Sequence, residues 1–182
     1  FGVRAYPTFV IVNPDGTIRH KLVGGGEGEK FIERVKESFD DNKALGALDA
    51  KYNSGNRDKA FLSQYAQVMV ANYDPNAKTI VDELLKISTD EEKLSEDYWF
   101  IFGNSELSPK DSEAAKFLTD NRSKFNETIG KEKVDSRLSE GLFREILMVI
   151  AGRGQKTDVK RLDAIGREVK ALKLSNEKTL LS

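Results

Sequence analysis

The residues able to do chemistry are few. His20 is the only histidine, and cysteine is absent from all 182 residues. A Ser-His-Asp triad would have to recruit His20, and a site built from several histidines is impossible. Without cysteine the chain holds no disulfide, no thiolate nucleophile, no Cys-ligated zinc and no iron–sulfur cluster. Any thiol redox chemistry therefore needs groups outside these residues. His20 stands between Ile18 and Leu22 on one face of an alternating segment, which marks it as a packed or partly solvated strand histidine and not as a general base with an orienting partner. No catalytic residue, no metal site and no cofactor is expected within the chain.

Other segments have site-like composition. Gly24-Gly25-Gly26-Glu27-Gly28-Glu29-Lys30 lies between an expected strand and an expected helix, where phosphate cradles occur. Its spacing fits neither the P-loop nor the dinucleotide fingerprint, and Glu27 and Glu29 would repel a phosphate. Tyr98-Trp99-Phe100-Ile101-Phe102 could stack a ligand. Five consecutive large residues in a helix, however, point in nearly all directions, as in a central helix packed between neighbours. Lys156, Lys160, Arg161, Arg167, Lys170 and Lys173, set against Asp158, Asp163 and Glu168, read as a solvated face. Asn126-Glu127-Thr128 fits a glycosylation triplet, a pattern common by chance.

Bulk composition narrows the partners. With 29 Lys plus Arg against 30 Asp plus Glu, the chain lacks the broad positive footprint of a non-specific nucleic-acid binder. No apolar run approaches the roughly eighteen residues of a membrane helix, so neither nucleic acid nor a membrane span is expected. The first residue is Phe1, and the residues after it form no charged n-region, apolar core and small-residue cleavage site. The chain opens inside a structured pattern, as a fragment of a longer product would.

The elements that must position these residues change period near residue 27. Thr8-Phe9-Val10-Ile11-Val12 is a continuous β-branched and aromatic run, the pattern of a strand buried on both faces. Asn13-Pro14-Asp15-Gly16 supplies turn chemistry, and Thr17 to Val23 alternates, so residues 8 to 23 are expected to form an antiparallel hairpin. From Glu27 onward Phe31, Ile32, Val35 and Phe39 fall at helical spacing. After Asp40 apolar stripes of this kind recur with short Gly, Pro or Asn breaks, including Gly130 and Gly152 to Gly154. One helix is expected to run from Ser88-Thr89-Asp90 to Phe102, and another from Ser108-Pro109 to Ile129. Trp99, Phe102, Phe117, Phe125, Leu142 and Ile146 are the expected core. The fold class is α+β, mostly α, with a boundary drawn at Asp40-Asp41-Asn42: residues 1–40 a hairpin plus helix, residues 41–182 an all-helical domain. Within the latter, residues 43–75 partly fit a tetratricopeptide pattern through Leu45, Leu48, Tyr52, Tyr65 and Pro75, with Phe61 standing where a small residue is usual.

The string Phe1-Gly2-Val3-Arg4-Ala5-Tyr6-Pro7-Thr8-Phe9, followed by the apolar strand, the Asn-Pro-Asp-Gly turn, the second strand, the glycines and a helix, resembles the C-terminal half of a thioredoxin fold over residues 1–39. The Tyr-Pro-Thr-Phe variant is similar to the thiol:disulfide interchange and disulfide-isomerase-like branch. The resemblance implies that Pro7 is the cis-proline of that family. It also implies that Ala5, Tyr6 and Pro7 form a substrate-binding loop in which the Tyr6 backbone meets an extended peptide beside a reactive sulfur. Tyr6 departs from the small or β-branched residue common there, and the family's Cys-x-x-Cys half is missing from these residues.

Two functions are expected from this. In the first, the chain is part of an extracytoplasmic (periplasmic or secreted) bacterial thiol:disulfide oxidoreductase or isomerase, acting on protein thiols and disulfides and redox-inactive as it stands. In the second, it is a non-enzymatic helical scaffold that binds protein partners. The doubly apolar strand Phe9 to Val12 would expose an edge if unpaired, so a homodimer through that strand is a further expectation.

Overall fold

The computed structural model describes residues 1–151 and 158–174. These are mostly helical, with one two-stranded antiparallel sheet, the α+β, mostly α class that the periodicities predict. The chain divides into two compact units, Phe1–Thr89 and Asp90–Ser182. The expected breaks at Gly152 to Gly154, together with Lys156, lie outside the described residues.

In the first unit, β1 (Thr8–Val12) pairs with β2 (Ile18–Val23), with Phe9 opposite Leu22, Ile11 opposite His20 and an irregularity between Ile11 and Val12. Asp15 closes the turn: its Oδ1 accepts from the Thr17 N–H at 2.9 Å and the Thr17 hydroxyl at 2.6 Å. Gly16 adopts φ +84°, a conformation that suits glycine. The helices α1 (Gly28–Glu37), α2 (Leu45–Asn53), α3 (Lys59–Ala71) and α4 (Ala77–Ile87) follow. Asp58 caps α3, accepting from the N–H groups of Ala60 and Phe61. Phe61 stacks on Tyr65 at 5.7 Å, so the large side chain that departs from the tetratricopeptide pattern is part of the packing.

Two differences from the expected layout have physical reasons. β1 is not buried on both faces, for Phe9 is 44% and Val12 48% exposed. Its only neighbour among the described residues is β2, and Phe9 leans edge-on against Phe31 of α1 at 4.8 Å. The division of the chain falls at Thr89 and not at residues 40–42, because α2 is seated on the hairpin. A Cβ at Gly46 would lie 2.3 Å from the Ile18 carbonyl oxygen, so only glycine lets α2 approach β2 this closely.

In the second unit, α5 (Asp90–Lys93), a 3₁₀ turn (Glu96–Tyr98) and α6 (Trp99–Phe102) replace the single helix expected from Ser88 to Phe102. The break is at Ser95, whose backbone is extended. The next helix, α7 (Glu113–Asp120), starts at Ser112 and not at Ser108, because the Ser112 hydroxyl accepts from the Ala115 N–H at 3.1 Å. Then come α8 (Arg122–Phe125), a π-helical turn (Asn126–Gly130), α9 (Lys131–Ile150) and α10 (Val159–Leu172). Phe102 and Phe125 are fully buried with ring centroids 5.1 Å apart. Phe117 and Trp99 flank them and are half-buried, so Trp99 is at the margin of the expected core and not at its centre. Leu142 of α9 packs with Ile165 and Val169 of α10, and Ile146 lies against this cluster.

Candidate functional site

The loop Ala5-Tyr6-Pro7 enters β1 directly, and its two ends are tied down. The Ala5 carbonyl accepts from the Thr8 hydroxyl at 2.6 Å. The Pro7 carbonyl accepts from the Gly24 N–H at 2.8 Å, which fastens the start of β1 to the end of β2. Gly24 has φ +82° and turns the chain there. Arg34 of α1 holds the same corner from below, donating to the carbonyls of Val23 at 2.6 Å and Gly25 at 3.2 Å. The glycine run thus directs carbonyls at a guanidinium.

Between these fixed ends Tyr6 stands out, 90% exposed. The Tyr6–Pro7 peptide bond is cis, the isomer the resemblance implies. Among the described residues neither the N–H nor the C=O of Tyr6 is in a hydrogen bond. The loop therefore offers a backbone donor and acceptor and an aromatic side chain, the equipment for gripping an extended peptide. It carries no thiol, imidazole or carboxylate.

His20 lies in the same unit and has a different occupation. It is buried, and its Nδ1 accepts from the Leu45 N–H at 3.1 Å, satisfying one of the orphan donors at the start of α2. The ring proton must then sit on Nε2. Burial pulls its pKa below the ordinary histidine value, the Glu37 carboxylate opposes that, and Arg34 reinforces it. Its position between Ile18 and Leu22 suggested a packed or partly solvated strand histidine, and the structure shows the packed one.

Of the remaining site-like segments, Tyr98, Ile101 and Phe102 of the aromatic run are buried and Trp99 and Phe100 half-buried. They are spent on packing more than on display. Sequence reasoning missed Arg34 and Gly24 as supports of the Tyr6 loop. Arg34 sits in the last turn of α1, where a basic residue is ordinary, so only its three-dimensional partners distinguish it.

Compared with protein-family models, curated proteins and solved structures, the chain matches none.

Proposed function

We propose that residues 1–39 are the C-terminal half of a thioredoxin-like domain, and that the chain serves a bacterial, extracytoplasmic thiol:disulfide oxidoreductase or isomerase as its substrate-gripping part. The observation that supports this reading best is the Tyr6 loop: an exposed residue with unpaired backbone groups, anchored on both sides and leading into a helix-covered hairpin. In this role the Tyr6 N–H and C=O pair with the backbone of a protein thiol or disulfide substrate, and Pro7 stands beside the reactive sulfur. That sulfur must come from a Cys-x-x-Cys segment that these 182 residues do not contain, so the chain alone is redox-inactive. The test is to read the gene upstream for Cys-x-x-Cys within about forty to sixty residues. The chain with and without that segment is then assayed for reduction of an insulin-like substrate. Activity in the longer chain alone, reduced by Pro7→Ala, is the expected result. Inactivity of a folded longer chain would leave the scaffold reading, which the exposed Phe143, Leu147, Met148 and Ile150 along α9 favour.

A further inference from the structure

The second unit buries a positive charge that has no ion-pair partner among the described residues. Arg137 of α9 is 7% exposed. Its Nε donates to the Phe102 carbonyl at 3.0 Å, and its Nη2 donates to the Ser108 carbonyl and, at 3.0 Å, to the Ser108 hydroxyl. Among the described residues Nη1 has no acceptor, and no carboxylate forms an ion pair with the guanidinium. The charges that act on it, Glu140 and Arg144 on its own helix, have opposite signs. Asp135, the buried acid of the same helix, already serves two cations, Arg122 at 2.6 Å and Lys131. A buried guanidinium is costly until an anion or further dipoles complete its shell.

The unpaired Nη1 lies beside Gly141. A Cβ at Gly141, one turn further along α9, would lie 3.9 Å from Nη1 and meet nothing nearer. Gly141 and Arg137 both line a cavity of about 90 Å³ whose walls include Leu118, Leu138, Leu142 and Leu172. That is room for a small molecule, with Arg137, Lys110, Thr119 and Glu168 as the polar groups at its edge and the leucines as an apolar wall. At the cavity, Glu168 is paired with Lys110 at 3.0 Å, and Lys110 is also paired with Glu145. The lysine is thus occupied, and the carboxylate stands against any second negative charge.

We propose that the second unit binds a small monocarboxylate, its head on Arg137 Nη1 and its short branched tail among Leu118, Leu138, Leu142 and Leu172. A single charge matches one free donor face, and the acid at the cavity disfavours a dianion such as phosphate. The apolar walls select a hydrocarbon tail of three or four carbons over a polar one. This site is independent of the Tyr6 loop and of the oxidoreductase reading.

The probe is isobutyrate, titrated into the full 182-residue chain and followed by ¹H–¹⁵N NMR, with isobutyramide and inorganic phosphate as parallel arms. Saturable shifts of the 137–142 amides and of the Arg137 Nε–H are expected, with a Kd of about 1–10 mM as befits so small a ligand. Isobutyramide and phosphate should leave those signals unmoved. Arg137→Leu removes the donor, but it also leaves the buried Ser108 carbonyl without its partner and the Phe102 carbonyl with the Ser108 hydroxyl alone, and can unfold the unit. Gly141→Leu therefore carries the decision: it fills the cavity, favours the helix and keeps Arg137, and it should weaken isobutyrate binding at least about tenfold. Shifts that stay linear to about 100 mM, an equal response to the amide or to phosphate, or unchanged affinity in folded Gly141→Leu would each overturn the site.

Discussion

His20 in the first unit and Arg137 in the second perform the same structural task with opposite chemistry. Each is a buried polar side chain that reaches from its own element to backbone groups elsewhere in its unit. His20 is neutral and accepts from an N–H at the start of α2. Arg137 is charged and donates to the carbonyls of Phe102, at the end of α6, and of Ser108. The difference is instructive because helix starts expose donors and helix ends expose acceptors, so the side chain that satisfies each is dictated by polarity. A further consequence separates them: the histidine can gain a proton in acid, below the ordinary histidine value, and lose its acceptor, whereas the guanidinium keeps its donors at every ordinary pH.

That contrast can be broken most forcefully at Arg137. Arg137→Leu leaves the Ser108 carbonyl without its donor and the Phe102 carbonyl with the Ser108 hydroxyl alone, and should destabilise the second unit by about 3 kcal/mol. Trp99, the only tryptophan, lies in that unit, so its fluorescence in a denaturant titration reports the loss. A change below about 1 kcal/mol would mean that the carbonyls find water or other partners.

The first unit is vulnerable at a position with no polar group at all. Gly46→Ala drives a methyl group into the Ile18 carbonyl, and backbone on both sides cannot yield as a flexible side chain would. A loss of about 2 kcal/mol is expected, visible as faster amide exchange along β2. An unchanged exchange pattern would show that α2 is not pressed against the hairpin. This effect sharpens the comparison, since it separates what His20 contributes at the same seam from simple proximity.

The smallest effect is the pH response of His20. Its pKa is lowered in the folded chain by burial first, so as pH falls the unfolded chain takes up the proton before the folded one. The stability held by neutral His20 is complete above the unfolded value of 6.5 and declines as pH falls from there toward the lower folded value. His20→Phe should cost about 1 kcal/mol at pH 7, by leaving the Leu45 N–H without its acceptor, and should flatten this dependence. Denaturation midpoints of the two proteins between about pH 7 and 5.5 make the test, before most carboxylates titrate. Parallel slopes would remove His20 from the account.

Much of the layout was legible in the residues themselves. Asn13-Pro14-Asp15-Gly16 encodes a turn because its side chains and its glycine act within four residues of one another, and the structure places a hairpin there. The change from alternation to helical spacing near Glu27 is likewise local, and α1 begins at Gly28. The pairing of Ile18, His20 and Leu22 on one strand face pointed to a packed or partly solvated histidine, and His20 is 5% exposed. The Tyr6 loop was visible as a motif, yet its anchoring by Gly24 and Arg34 was not. Those partners lie 17 or more residues away, from Pro7 to Gly24 and beyond.

What the sequence by itself determined, then, is whatever depends on neighbours along the chain: the mostly helical class, the hairpin turn, the exclusion of thiol chemistry by the absence of cysteine. Only the tertiary structure decided that Phe9 and Val12 stay half-exposed, since exposure depends on whether a second strand arrives. It alone showed Gly46 to be a contact residue and not a helix flaw, and put the division at Thr89. The role of Arg137 belongs to the same class. An arginine on an amphipathic helix reads as solvated, because nothing local records that the carbonyls it will meet come from residues 29 and 35 positions earlier.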